Sequence, residues 1–205
     1  MTSTLVTTSP TTPLHAMRVV IGGVGYRNLR DHSLGIVMSD ELEALARPPA
    51  LLVEDLCYGP VAVAQWFLDE ALSSPITRAI FITAISRDDG RPPGTICAYR
   101  WDHTLPSTDE IQRCVVDAVT GVIFLDNTLI VVEWMHALPS ETIVIEVEPL
   151  EHAFGDEMSP GVAAAYAEVR RLALHFATDH AAGLALPVHA LGGGWMPNTS
   201  SPLSA

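Results

Sequence analysis

The chain reads as an α/β protein, a three-layer αβα sandwich around a largely parallel sheet of about five strands. Three observations predict that class. Short, almost wholly apolar runs alternate with longer stretches of helical periodicity. The first apolar run ends in glycines, as a buried parallel strand turning into a helix does. Hydrophobic residues make up 48% of the 205 and charged ones only 17%, which suffices for a real core and excludes a disordered chain.

Met17 to Gly22 is the opening strand. A helix follows from Ser33 or Leu34 to Ala46, stopped by Arg47-Pro48-Pro49, because proline removes a backbone donor and clashes with the preceding turn. Leu51 to Asp55 is the second strand. Pro60 suits the first position of the next helix, through Leu72, with Val63, Phe67 and Leu68 on one side. Ala79 to Thr83 is the third strand, Arg87 to Gly94 a turn-rich stretch, and Thr95 to Trp101 the fourth strand. Ser107 with Glu110 three residues on has the form of a capping box. Asp126 is positioned to cap a helix running to about Leu138, and Thr142 to Val147 is the fifth strand. Ser159 caps the last helix and Pro160 opens it; Val162, Tyr166, Val169, Leu172 and Phe176 form its apolar stripe, and Gly183 marks its exit. This gives one α/β domain over 16–185, between flexible tails at 1–15 and 186–205.

The formal charge of −13 provides no basic surface to displace counterions from phosphates, so nucleic acid is excluded as a partner. Cys57, Cys97 and Cys114 are odd in number and widely spaced, which supports neither a disulfide framework nor a cysteine zinc site and fits a reducing cytoplasm. The apolar runs Val115 to Leu125 and Leu129 to Leu138 are interrupted by Asp117, Glu133 and His136, so no membrane span is expected. The first residues carry no basic start and no apolar core, unlike a signal peptide. A monomer is the favoured state.

Gly22-Gly23-Val24-Gly25 follows the first strand, and Asp55 ends the second. A dinucleotide-binding fingerprint needs a third glycine where Asn28 stands. The motif is better read as a tight turn needing glycine backbone freedom, although a small-molecule-binding α/β domain stays open as an alternative. His32 lies in a polar loop, where a solvated histidine is the ordinary expectation. Asp126 and Asp55 have equally ordinary readings as a helix cap and a strand-end carboxylate.

Several segments, taken in order, resemble one known family. Arg18-Val19-Val20-Ile21-Gly22-Gly23-Val24-Gly25, with Asp31 and Gly35 at kept spacing, is similar to the opening of the nickel-iron hydrogenase maturation endopeptidases, with Tyr26 where that family has asparagine. Ala79 to Ala84, then Pro93-Gly94-Thr95, then Glu148-Pro149 and Met158-Ser159-Pro160-Gly161-Val162 continue the likeness, with an apparent insertion between Trp101 and Leu125. The resemblance implies recognition of nickel held by a hydrogenase large-subunit precursor, followed by cleavage of that precursor's C-terminal extension. It also implies a metal site of two carboxylates and one histidine. Carried over, the first carboxylate falls on His32, the second on Ala84 or its neighbour Thr83, and the histidine near Asp126 or Asn127. Ala84 marks a lost ligand. His32, Asp126 and Asp55 are the side chains left to form a substituted metal set, with Gly23, Gly25, Asp31 and Gly35 shaping the loop. Asp31 is expected to hold that loop through nearby backbone amides. Two functions follow from the resemblance: a protease with a rearranged metal-sensing site, or a non-catalytic relative that binds the precursor as an assembly chaperone or scaffold.

Overall fold

A computed structural model describes residues 17–192. Its sheet has six strands: β1 (Val19–Gly23), β2 (Leu51–Asp55), β3 (Arg78–Ala84), β4 (Ile96–Trp101), β5 (Glu141–Val147) and β6 (Val188–His189), in the order β2-β1-β3-β5-β4-β6. β1 pairs in parallel with both β2 and β3, and β3 pairs in parallel with β5. β4 runs antiparallel to β5 and carries the short β6 beside it. The helices are α1 (Leu34–Glu43), α2 (Pro60–Ser73), α3 (Thr108–Val119), α4 (Leu125–Trp134), α5 (Pro160–Thr178) and α6 (His180–Leu184).

The central strands bury both faces, so alternate residues feed two cores. Val19, Ile21, Ile80, Ile82, Ile143 and Ile145 pack on one side against Leu34, Met38 and Leu42 of α1 and Val162, Val169 and Phe176 of α5. Val20, Ala79, Phe81 and Val144 pack on the other against Val63 and Phe67 of α2 and Leu125, Leu129 and Val132 of α4. α3 lies outside this layer, touching α4 through Cys114, Ile130 and Val131. The three layers predicted from the sequence are present.

Several local readings change: Gly183 does not mark the exit of the last long helix, which stops at Thr178, but lies inside α6, and α4 stops at Trp134, short of Leu138. α1 stops at Glu43, short of Ala46. Phe124, not Asp126, occupies the N-cap of α4, and Asp126 sits in the first turn. Ser159 holds the N-cap position of α5, but its side chain bonds elsewhere. Val188–His189, inside the stretch assigned to the C-terminal tail, pairs with β4 because the Pro187 carbonyl accepts from the Arg100 amide at 2.8 Å. Residues 1–16, which include the N-terminal tail expected at 1–15, and those beyond 192 lie outside the described residues. Ser107 does cap α3, its Oγ accepting from the Glu110 amide at 3.3 Å.

This topology has a consequence for function. From β1 the chain proceeds to β2 on one side, while β3 lies on the other, so connections leaving the C-terminal ends of β1 and β3 diverge. A crevice at that reversal is where open α/β sheets place ligands.

Candidate functional site: a cleft at the reversal between β1 and β3

A cleft of about 310 Å³ opens there, lined by Gly25, Tyr26, His32, Thr83–Ser86, Ile123–Leu125 and His152. Its floor is set by glycine. A Cβ on Gly23 would stand 2.1 Å from the Gly35 carbonyl oxygen, and one on Gly35 would stand 2.4 Å from that of Ile82. Only glycine at these positions lets the start of α1 sit against the ends of β1 and β3. The glycine turn is thus a packing device, and it delivers the next turn of chain, bearing His32, to the C-terminal edge of the sheet.

Two loops close over this edge and are fastened together. The Arg30 amide donates to the Gly155 carbonyl at 2.9 Å, and the Gly155 amide donates to the Asn28 carbonyl at 3.0 Å. Arg30 also pairs with Glu151 at 2.6 Å. The strongest tie is Asp31, fully buried. Its carboxylate accepts from the amides of Leu150 (2.8 Å), Glu151 (3.1 Å) and Ser159 (2.6 Å), and from the Ser159 hydroxyl (2.8 Å). Burial alone would push its pKa up; the bonds from Ser159, Leu150 and Glu151 prevail and hold it below the ordinary aspartate value. The expectation that Asp31 bonds backbone amides is met, but the amides belong to a distant loop.

Asp31 therefore joins the residue before His32 to the residue before His152. The two imidazoles meet with ring centres 4.7 Å apart and planes at 71°. His32 is lowered from the ordinary histidine pKa by burial first and by His152 second, against the opposing influence of Asp31 and of a hydrogen bond with the Ala84 backbone. His32 is consequently held neutral near pH 7. On the opposite wall, Tyr26 Oη accepts from the Ile123 amide at 2.6 Å, and the Tyr26 and Phe124 rings meet edge to face at 6.2 Å. Tyr26 thus ties the β1 turn to the segment that opens α4.

The other candidate ligands point elsewhere. Asp126 forms a two-pronged pair with Arg87, at 2.7 and 2.9 Å. Arg87 also binds Glu146, which accepts from Tyr99 Oη at 2.7 Å. Burial opposes the Arg87 charge, and the bonds with Asp126 and Glu146 outweigh it, keeping the guanidinium firmly protonated. Asp55 pairs with Arg27 at 2.6 Å and accepts from the Cys57 amide at 2.9 Å. Neither Asp55 nor Asp126 lines the cleft with His32. Among the described residues, no three histidine, cysteine, aspartate or glutamate side chains come together as a metal-holding group. His152 escaped sequence reasoning; its signal was its position, a lone histidine in the connection leaving the carboxyl end of the strand next to β3.

The fold has counterparts among solved structures. The hydrogenase-maturating endopeptidase HybD from E. coli superposes with a TM-score of 0.56 over 79% of this chain and 94% of its own, at 18% identity. The endopeptidase HycI from Escherichia coli gives 0.54 over 85% and 98%, at 19% identity. A hydrogenase 2 maturation peptidase from a Thaumarchaeota archaeon gives 0.51 over 78% and 97%, at 19% identity. The fold is that of the hydrogenase maturation endopeptidases. No protein-family model and no curated protein matches the sequence.

Within the maturation-endopeptidase fold, the positions that the sequence resemblance assigns to ligands can be located. His32, Thr83 and Ala84 line one cleft together. Leu125, just before the third assigned position, lines it too, while the Asp126 carboxylate turns to Arg87. Two imidazoles, from His32 and His152, share this cleft, and no carboxylate lines it. Among the described residues, no helix is long and apolar enough to cross a membrane.

Proposed function

We propose that this protein serves hydrogenase maturation by binding the large-subunit precursor at the cleft between β1 and β3, without cutting it. The observation that carries this reading is the convergence of His32, Thr83 and Ala84 on one cleft whose lining contains no carboxylate. The fold shared with the maturation endopeptidases supports the process, and the lost carboxylates support the absence of their proteolysis. A metal-dependent cut needs a first shell of three or four donors, and even changes outside that shell typically weaken a site about 10- to 100-fold. Ala84 offers no donor atom in its side chain, and Asp126 and Asp55 are already committed to arginines. What remains is a concave, mainly apolar surface that includes the exposed Phe124, suited to receiving a segment of another protein.

The deciding measurement mixes the full chain with nickel-loaded large-subunit precursor and follows the precursor's mass. A stable complex with precursor of unchanged mass is expected, weakened by Phe124→Asp on the rim. A shortened precursor in which the extension has been removed would overturn the reading in favour of a rearranged protease.

A further inference from the structure

After β6 the chain is led back to the cleft. β6 lies beside Arg100 and Trp101, at the amino end of the sheet, because β4 runs antiparallel to β5. From there the chain doubles back. Leu191 packs against the cluster formed by Cys114, Ile130 and Val131. Gly192 takes a left-handed φ of 67°, the conformation such a reversal draws from glycine. A Cβ placed on Gly192 would stand 3.5 Å from Nη1 of Arg87, whose guanidinium pairs with Asp126. Ser86 and Leu125, the sequence neighbours of Arg87 and Asp126, line the cleft. Gly192 is therefore one side-chain pair away from the cleft wall.

The sequence continues Gly193-Gly194-Trp195-Met196-Pro197. Trp195 is three residues beyond Gly192, a reach of about 10 Å along extended backbone before the indole adds its own length. The chemistry of segment and cleft agrees. No side chain from Gly192 to Ala205 is charged, in a chain whose formal charge is −13. No aspartate, glutamate, lysine or arginine lines the cleft, and Tyr26, Ile85, Ile123, Phe124 and Leu125 make its walls mainly apolar. Its volume of about 310 Å³ is at the small end of the range for ligand sites, which suits one large side chain and its neighbour. Phe124, 44% exposed, offers the ring that such a side chain would cover.

We propose that the chain's own segment Trp195-Met196-Pro197 docks in the cleft between β1 and β3, with Trp195 against Phe124, as a tethered occupant that an incoming partner displaces. A tether this short holds its end at an effective concentration on the order of mM, so a contact with a dissociation constant below that value keeps the cleft filled. That the displacing partner is the large-subunit precursor rests on the docking function proposed above; the occupancy itself does not.

The test uses the full chain with 5-fluorotryptophan at its four tryptophans, the Trp195 signal being the one lost in Trp195→Phe. Trp101 at 2% exposure and Trp134 at 52% serve as internal references for broadening by a soluble nitroxide. Trp195 is expected to be protected nearly as Trp101 is, at every protein concentration, and to become as accessible as Trp134 in Phe124→Asp. Accessibility like that of Trp134 in the parent, or protection indifferent to Phe124→Asp, would overturn the docking. Protection that disappears on dilution would assign the cleft to a second copy and overturn it equally. Should Phe124→Asp fail to fold, the parent still decides: nuclear Overhauser contacts from the Trp195 indole must reach Phe124 and Ile123. Precursor capture by the parent and by Trp195→Ala, run alongside, separates the two readings. The variant is expected to bind precursor about 10-fold more tightly. A protected Trp195 with no capture by either chain sinks the precursor-binding function alone. An accessible Trp195 with equal capture sinks the tethered occupant alone, and a protected Trp195 with equal capture overturns its displacement.

Discussion

Both ends of the sheet bury arginine against carboxylate, and they use the pairing differently. At the amino end, Arg78 opens β3 beside Glu141, which opens β5 in register with it. Arg78 is fully buried; it donates to Glu141 at 2.8 Å, to the Phe176 carbonyl at 2.7 Å and to the His180 carbonyl at 3.1 Å. It thereby ties the sheet to the last turn of α5, whose carbonyls have no partners within the helix. At the carboxyl end, Arg87 and Arg91 gather Asp89, Asp126, Glu146 and Glu148 beside the cleft, and Arg91 Nη1 is buried without a hydrogen bond. One end is a saturated clamp. The other draws acidic side chains toward arginines, and the cleft is left with histidines.

The sharpest way to break the comparison is Arg78→Met. It removes a fully buried charge and leaves the Phe176 carbonyl and the part-buried Glu141 without their donor; losing one member of a buried pair costs about 3–5 kcal/mol, and the lower end of that range is expected here. Chemical denaturation should show a loss of that size with the slope of the transition unchanged. A loss under about 1 kcal/mol would mean that the amino-end clamp is no more structural than a surface pair.

Asp31→Asn tests the tie between the two loops. Hydrogen bonds to a buried charge contribute about 1.5–3 kcal/mol net, and a loss in that range is expected at neutral pH. The pH dependence supplies an independent check. Because the folded pKa of Asp31 lies below the unfolded value, its stabilisation is fully present above the unfolded pKa of about 4 and is lost as pH falls through the folded one. The gap between parent and variant should therefore narrow below about pH 4, and a gap constant from pH 7 to pH 3 would contradict the assigned role.

Much of this fold was legible because its signals are local. The apolar runs, Pro60, Pro160 and the Ser107 cap are each readable within a few residues, and each marks an element found in the structure. The glycine turn was legible for the same reason. The site was less so, because its chemistry depends on contacts between distant segments. Asp126 and Asp55 looked available as ligands; Arg87 and Arg27, which occupy them, are 39 and 28 residues away. Asp31 reads as a local loop-former, yet its partners lie 119 to 128 residues on. His152 acquires meaning only once Asp31 draws its loop over β3.

Glu146→Gln sharpens the carboxyl-end half. Glutamine keeps an acceptor for Tyr99 but withdraws the charge shared with Arg87 and Arg91, while Asp126 and Asp89 still offset those guanidiniums. A loss of about 1–2 kcal/mol is expected, smaller than at Arg78 because the network is redundant. Equal losses at the two ends would erase the distinction between the amino-end clamp and the redundant carboxyl-end network.

The smallest effect lies in the cleft. His32 has a folded pKa below the ordinary histidine value, so its neutral form favours folding: that contribution is present above the unfolded pKa of about 6.5 and disappears as pH falls through the folded one. In metal-free buffer, His32→Gln should melt nearly with the parent at pH 7.5 and gain on it by pH 5.5. Burial is the larger cause of the shift and His152 the next, so His152→Gln should raise the His32 pKa partway toward the ordinary value without restoring it. Ring-proton titration by NMR reads this directly. A His32 pKa that stays fixed when His152 is replaced would mean that the rings share a cleft without sensing each other's charge, and the contrast between the two ends of the sheet would then rest on the arginines alone.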